Sequence, residues 1–375
     1  MATPDKGSFP HFLIKEIHEQ PEAMRNTTLA YTGATASQIS FAEVRIGKEE
    51  LRKLSKLNIA ASGTSRHAGI AGRTIIQELA HIPVEVDYAS EFEHRNVPGR
   101  DELTVVITQS GETADTLSAL RKAKAQGART LAITNVVGST IAREADAALY
   151  THAGPEISIA STKAFVAQLT VLYLLAMYLG EARGTLDSAA SRTCLAELAQ
   201  IPDKIALVLK LEEQCRELAR DYESFENFMF LGRGIHYAMA MDGALKLKET
   251  SYVHAEGYPT GEIKHGPFAL VDERLVVIVL ATRDLDDQAS RQRWEKTLTD
   301  MRDIKQQGAK VIAVAVEGDH IVSELANSTV VIPRTSELLL PILEVVPLQL
   351  FAYFMAVARG NNVDQPRNLV KAVIS

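Results

Sequence analysis

The sequence is poor in cysteine, carries no excess of positive charge and lacks any long uninterrupted apolar run. Only Cys194 and Cys215 occur in 375 residues, without a CxxC pair or histidine-rich company. That excludes a disulfide framework and suggests neither a zinc site nor any other metal centre. A reducing, cytoplasmic setting fits. The net charge is −7 with the signs interspersed, and no basic run is interleaved with aromatics, so no nucleic-acid footprint is present. An anionic ligand must therefore be held by local groups. Met1-Ala-Thr-Pro-Asp-Lys is not an apolar signal region, and the longest apolar run, around Leu169 to Leu179, is too short and interrupted to span a bilayer. It reads as a buried core helix, with no membrane partner. No GxxxxGK[ST] or GxGxxG pattern follows a strand, which leaves nucleoside triphosphates and dinucleotides without support, and no cofactor is expected.

What is present is ample core-forming sequence. With 46% hydrophobic and 23% charged residues, a chain of this length buries a large core and divides into two domains. After an arm or short helix over Phe9 to Asn26 and a helix from about Gly47 to Lys56, short apolar strands alternate with helices. Leu57 to Ala61 leads through a small-residue turn into a helix over His67 to Leu79. Strands at Leu103–Thr108, Thr130–Thr134 and Ala147–Tyr150 follow, with a helix at Ala114–Gln126 and a long one at Thr162–Leu179. This alternation predicts a parallel sheet covered by helices on both faces. The same order returns about 170 to 180 residues later at Phe228-Met-Phe-Leu-Gly, Leu275-Val-Val-Ile-Val-Leu, Lys310-Val-Ile-Ala-Val and Thr329-Val-Val-Ile. Order and spacing preserved across four strands predict an internal duplication, with the boundary in the polar stretch Glu181 to Leu218.

Two groups of residues carry chemistry. Small hydroxyl residues fill the turns Gly63-Thr-Ser65, Thr108-Gln-Ser-Gly-Glu-Thr113 and Ala160-Ser-Thr162. At the carboxyl edge of a parallel sheet such turns lie beside helix N-termini, whose unpaired N–H groups and partial positive charge bind phosphate. Each hydroxyl taken singly could equally be an N-cap. The second group is the stretch Gly243 to Pro267, where Lys246, Glu249 and His265 offer an amine, a carboxylate and an imidazole for proton transfer. A solvated helix face followed by a polar loop would have the same local spacing. Lys246 and Glu249 are three apart and can share a helical face, whereas His265 lies beyond a Pro and Gly loop.

Over nearly its whole length the sequence resembles the isomerase portion of the glutamine:fructose-6-phosphate aminotransferase (glucosamine-6-phosphate synthase) family, which consists of two sugar-isomerase (SIS) domains. The resemblance rests on Lys15-Glu-Ile-His-Glu-Gln-Pro21, Ser62-Gly-Thr-Ser-Arg-His-Ala-Gly69, Gln109-Ser-Gly-Glu-Thr-Ala-Asp-Thr116, Glu156-Ile-Ser-Ile-Ala-Ser-Thr-Lys-Ala-Phe165, Phe230-Leu-Gly-Arg-Gly234, the Gly243–Pro267 stretch, and Asp364-Gln-Pro-Arg-Asn-Leu-Val-Lys-Ala-Val373. It implies an α/β fold of two SIS domains, each a flavodoxin-like three-layer sandwich, with an N-terminal arm over 1–46, SIS domain 1 over 47–190, SIS domain 2 over 191–362 and an ordered tail over 363–375 that closes the site.

The resemblance further implies a phosphate cradle of Ser65, Thr108, Gln109, Ser110 and Thr113, with Ile159 and Ser161 near the sugar. Glu249 would shuttle a proton between C1 and C2, supported by Lys246. His265, reaching in from the partner subunit of a homodimer, would open the sugar ring, and Lys371 would form a Schiff base with the ketose. The substrate pair would be fructose 6-phosphate and glucosamine 6-phosphate, with the site formed between the two halves.

Departures from the family bear on the nitrogen source. Position 2 is Ala and no cysteine precedes Cys194, so the family's glutaminase is expected to be absent and ammonia to come from a separate source. Thr108 stands where Ser is expected and Ser62 where Cys is expected. The alternatives are a glucosamine-6-phosphate deaminase or related deglycase, and a non-catalytic sugar-phosphate sensor. The sensor predicts lost acid–base residues, yet Lys246, Glu249, His265 and Lys371 are all present.

Overall fold

The computed structural model describes residues 5–33, 38–41, 47–95 and 101–373. The expectations placed on Met1–Pro4 and on the last two residues of the tail lie outside these. In chain order the first half runs α1 (Phe12–His18), α2 (Gln20–Thr32), α3 (Lys48–Lys53), β1 (Lys56–Ala61), α4 (Gly63–Ala80), β2 (Val84–Tyr88), α5 (Ala89–Phe92), β3 (Glu102–Thr108), α6 (Ala114–Ala125), β4 (Arg129–Thr134), α7 (Thr140–Glu144), β5 (Ala147–Tyr150) and α8 (Lys163–Arg183). Helices α9 (Ser188–Val208) and α10 (Glu212–Tyr222) follow. The second half runs β6 (Asn227–Gly232), α11 (His236–Ser251), β7 (His254–Pro259), 3-10 turns at Thr260–His265 and Pro267–Leu270, β8 (Leu275–Leu280), α12 (Gln288–Gln306), β9 (Lys310–Val316), α13 (His320–Leu325), β10 (Ser328–Ile332) and α14 (Leu340–Ala358).

Both sheets are parallel throughout, with orders β2-β1-β3-β4-β5 and β7-β6-β8-β9-β10. The two orders are the same flavodoxin-like order, so the duplication holds for five strands. Four of the five pairs were legible. β2 and β7, two of the four edge strands, escaped because they lack an apolar run: β2 is half exposed and carries two acids, and β7 contains Gly257 and ends on Pro259. Proline is tolerated there because an edge strand need not donate on both sides. Gly257 is required by packing, since a Cβ at this position would stand 2.6 Å from Met241 Cα of α11.

The central strands show why the sheets form. All six residues of β8 and six of the seven in β3 are buried, which only a sheet covered on both faces allows. Alternation then sorts them. In the first sheet Ile59 and Ile107 face α4, whose Gly69 admits their methyl groups, while Ala60 and Val106 face Phe92, Leu120 and Ile141 of α5, α6 and α7. In the second, Phe230 faces Gly243 of α11, and Met229, Val277, Val279 and Val311 pack on Trp294, Leu298 and Met301 of α12. Burying each such aliphatic side chain contributes about 1.5–3 kcal/mol. Val277→Asp would leave a carboxylate without water or partner in that layer.

Helices α8 and α14 sharpen the reading of the apolar run. α8 continues past Leu179 to Arg183, and α8 and α14 are both long and apolar enough to cross a membrane, yet they lie 89% and 94% buried within the protein. They are the core helices against which α4 and α11 pack.

The chain separates into two compact units, each built from discontinuous segments. One comprises Glu19–Glu156, Ser161–Pro202 and Val370–Ser375 around the first sheet; the other comprises Met1–His18, Ile157–Ala160 and Asp203–Leu369 around the second.

Candidate active site

In the first unit the sheet order reverses between β1 and β3, and the turns following these strands are the hydroxyl-rich ones. Ser62, Thr113 and Thr162 are the N-cap residues of α4, α6 and α8, and none uses its side chain to cap its helix. The N-cap alternative therefore does not account for them. Thr108 Oγ1 and Thr113 Oγ1 pair at 2.9 Å, and the Ser110 hydroxyl accepts from Glu112 N at 3.2 Å. Gly111 adopts φ +71 between them, and a Cβ there would collide with the Ser139 side chain, so only glycine fits the turn. Ser65, in the first turn of α4, is buried and accepts from Gln168 Nε2 of α8 at 3.0 Å. Thr162 Oγ1 is buried without a hydrogen bond to any described residue. Helix N-termini and hydroxyl donors thus share one sheet edge, the arrangement that binds a phosphate monoester without lysine.

Of the tail, the stretch from Val370 belongs to this unit, whereas Val363 to Leu369 group with the second. Lys371 Nζ lies 2.7 Å from Glu156 Oε2, and Val373 O accepts from Ala114 N, the first amide of α6, at 3.0 Å. Glu156 is a residue to which the sequence reading gave no role. Its fully buried carboxyl also accepts from Ser161 Oγ at 3.0 Å and from the amides of Thr162 and Ala164 at 2.9 and 3.1 Å. Burial pushes this carboxyl up, but the Lys371 ammonium and the Thr162 and Ala164 amides outweigh burial and hold it below the ordinary carboxylate range. Its position before a long helix, with no basic residue beside it in sequence, is the signal that could have found it. Ile159, by contrast, groups with the second unit, where its amide donates to Asp364 O at 3.1 Å.

In the second unit Lys246 and Glu249 share one face of α11, with Lys246 Nζ 2.9 Å from Glu249 Oε2. The lysine is 3% exposed and the glutamate 20%. A desolvated ammonium thus fixes one carboxylate oxygen while the group keeps access to solvent. His265 closes the 3-10 turn after β7, is exposed, and makes no hydrogen bond or ion pair with a described residue. The fold therefore brings Lys246 and Glu249 together and leaves His265 apart from both. Because α11 connects two parallel strands, it starts at the carboxyl edge with His236 and carries Lys246 and Glu249 back toward the amino edge.

Fold and site define a doubled flavodoxin-like α/β protein with hydroxyl-rich turns at the sheet edge of its first copy. Residues 50–178 and 224–359 each match the SIS domain, and the chain belongs to that family. It is 47% identical over 370 residues to the isomerizing glutamine–fructose-6-phosphate aminotransferase of Chlorobaculum tepidum, covering 98% of this chain and 59% of that protein. The chain thus spans 59% of the length of that relative. The C-terminal domain of glucosamine-fructose-6-phosphate aminotransferase from Francisella tularensis superposes with a TM-score of 0.90 at 36% identity, over 96% of this chain and 100% of that one. Glucosamine-6-phosphate deaminase from Thermotoga maritima shares the fold at TM-score 0.71 and 22% identity, over 96% and 99% of the two chains.

Proposed function

We propose that this chain is a ketose–aldose isomerase of hexose 6-phosphates, interconverting C1 and C2 of fructose 6-phosphate and, with ammonia, forming glucosamine 6-phosphate. The observation that carries this reading is the Lys246–Glu249 pair, a partly accessible carboxylate held by a buried ammonium at 2.9 Å. Glu249 takes the carbon-bound proton from one carbon and returns it to the other, and Lys246 offsets the charge that builds on the enediol or enolamine. Ser65, Thr108, Gln109, Ser110 and Thr113 hold the 6-phosphate, and Ile159 and Ser161 contact the sugar.

Lys371 is the nucleophile toward the ketose carbonyl. It must lose its proton to act, and the ion pair with Glu156, which favours the charged amine, must be released for that. His265 opens the ring of a substrate bound to the partner subunit of a homodimer, which agrees with its exposure and its lack of a hydrogen bond or ion pair among the described residues. Functionally, residues 47–190 hold the phosphate, 191–362 move the proton, and the tail over 363–375 closes the site. Ammonia comes from a separate source, and the reaction belongs to the cytoplasm.

The test is Glu249→Gln, assayed for interconversion of fructose 6-phosphate with its aldose. A loss of about 10²- to 10⁴-fold in kcat with an unchanged fold is expected. Retention of the wild-type rate would show that Glu249 is not the base and would remove the mechanism.

A further inference from the structure

The duplication gives the second unit its own switch point, between β6 and β8, where the first unit has its hydroxyl turns between β1 and β3. That second crevice is filled. Glu337, in the segment leading from β10 into α14, lies in the same connection as Glu156 and Ser161 of the first unit, which lead from β5 into α8. Its carboxylate receives four hydrogen bonds. Oε1 accepts from Arg293 Nε at 2.7 Å and from His236 Nε2 at 2.9 Å, and Oε2 accepts from Ser290 Oγ at 2.6 Å and from Arg293 Nη2 at 3.0 Å. His236 sits four residues past the end of its strand, as Ser65 does past β1, and Ser290 and Arg293 lie on the first turns of α12, the counterpart of α6. A fork of arginine donors, an imidazolium and a serine hydroxyl at a switch-point carboxyl edge is the donor set of an oxyanion site.

We propose that the carboxyl edge of the second sheet is an oxyanion site of the phosphate-monoester class, occupied by the chain's own Glu337 carboxylate. The crevice is thereby closed to sugar phosphate, and each chain binds one sugar phosphate although it carries two copies of the fold. Three further observations agree. Arg293 is 11% exposed and its Nη1 is buried without a partner among the described residues, so the cluster has more donor capacity than one carboxylate uses. His236 donates to Glu344 Oε1 at 2.5 Å as well as to Glu337, which requires both ring nitrogens to carry hydrogen. Burial and the Arg293 guanidinium push His236 down, yet the Glu344 and Glu337 carboxylates outweigh them and hold it above its ordinary value.

The experiment measures thermal stability of the full chain against inorganic phosphate, beside calorimetric stoichiometry with fructose 6-phosphate. Wild type should bind one fructose 6-phosphate per chain. Glu337→Ala should be less stable in phosphate-free buffer and gain a larger phosphate-dependent rise in Tm than wild type. That extra rise should survive Ser110→Ala/Thr113→Ala, which breaks the first cradle, and vanish when Arg293→Ala is added. Should Glu337→Ala fail to fold without phosphate, recovery in phosphate supports the site, and the milder Glu337→Gln gives the same reading. Two fructose 6-phosphates per wild-type chain, a phosphate response no larger in either variant than in wild type, or no recovery of either variant by phosphate would overturn it. Because the readout is binding of inorganic phosphate, it stands apart from the isomerase reading, which fails only on turnover.

Discussion

The two switch points use the same backbone plan and opposite chemistry. In the first copy the buried contact between the turn after the inner strand and the core helix is neutral, Ser65 with Gln168 at 3.0 Å. In the second copy the corresponding contact is charged, His236 with Glu344 at 2.5 Å, and the Thr282 hydroxyl also donates to Glu344. The first crevice is lined by neutral hydroxyls, of which the buried Thr162 Oγ1 has no hydrogen bond to a described residue. The second sets an arginine, an imidazole and a serine on the Glu337 carboxylate.

The largest effect should come from breaking the charged side. Glu344→Ala leaves the His236 imidazolium with a missing partner in the core, and a loss of about 3–5 kcal/mol is expected by urea unfolding. Gln168→Ala, the matching change in the first copy, removes one neutral hydrogen bond and should lose only about 1 kcal/mol. Equal losses would contradict the contrast.

Next comes binding. Ser110→Ala/Thr113→Ala removes two hydroxyls that the cradle reading assigns to a charged phosphate, each contributing about 1.5–3 kcal/mol. KM for fructose 6-phosphate should rise by two orders of magnitude or more while unfolding is nearly unchanged. A KM within a factor of two of wild type would remove these side chains from the cradle.

A smaller loss of stability, about 1–3 kcal/mol, is expected for Gly111→Ala, because it combines a left-handed backbone with a collision against Ser139. Thermal unfolding reads it directly.

The smallest effect is in pH dependence, where the copies should also part. His236 is held above its ordinary 6.5, so the contribution of its ion pairs is complete below that pH and is lost as pH rises through the raised folded value. Burial pushes Glu337 up, but His236 and Arg293 outweigh it and hold it well below its ordinary 4.5, so its contribution is complete above that pH and is lost as pH falls through the lowered folded value. The network is therefore fully stabilising between 4.5 and 6.5. His236→Asn should flatten the decline in stability above this window, as read from urea midpoints; an unchanged slope would mean that His236 is neutral in the fold.

Much of the architecture was legible because it repeats. Four strands of each sheet are near-continuous aliphatic runs, and such runs arise only where both faces are covered. The edge strands β2 and β7 were not legible, since their open edge lets them carry acids, glycine and proline, whereas the edge strands β5 and β10 keep an apolar run. Among site residues, the proximity of Lys246 and Glu249 follows from helical spacing alone. The pairing of Lys371 with Glu156 spans more than half the chain, and no local pattern encodes it.

The sequence by itself determined a doubled parallel α/β fold, its hydroxyl-rich turns and the amine–carboxylate pair on α11, because hydrophobic period and helical spacing are local properties. The tertiary structure alone decided that the N-cap hydroxyls do not cap their own helices, that the tail from Val370 lies against the first copy, and that Glu337 fills the second. Each of these depends on which distant donor finds which acceptor, and burial makes an unpaired group too costly for that choice to be left open.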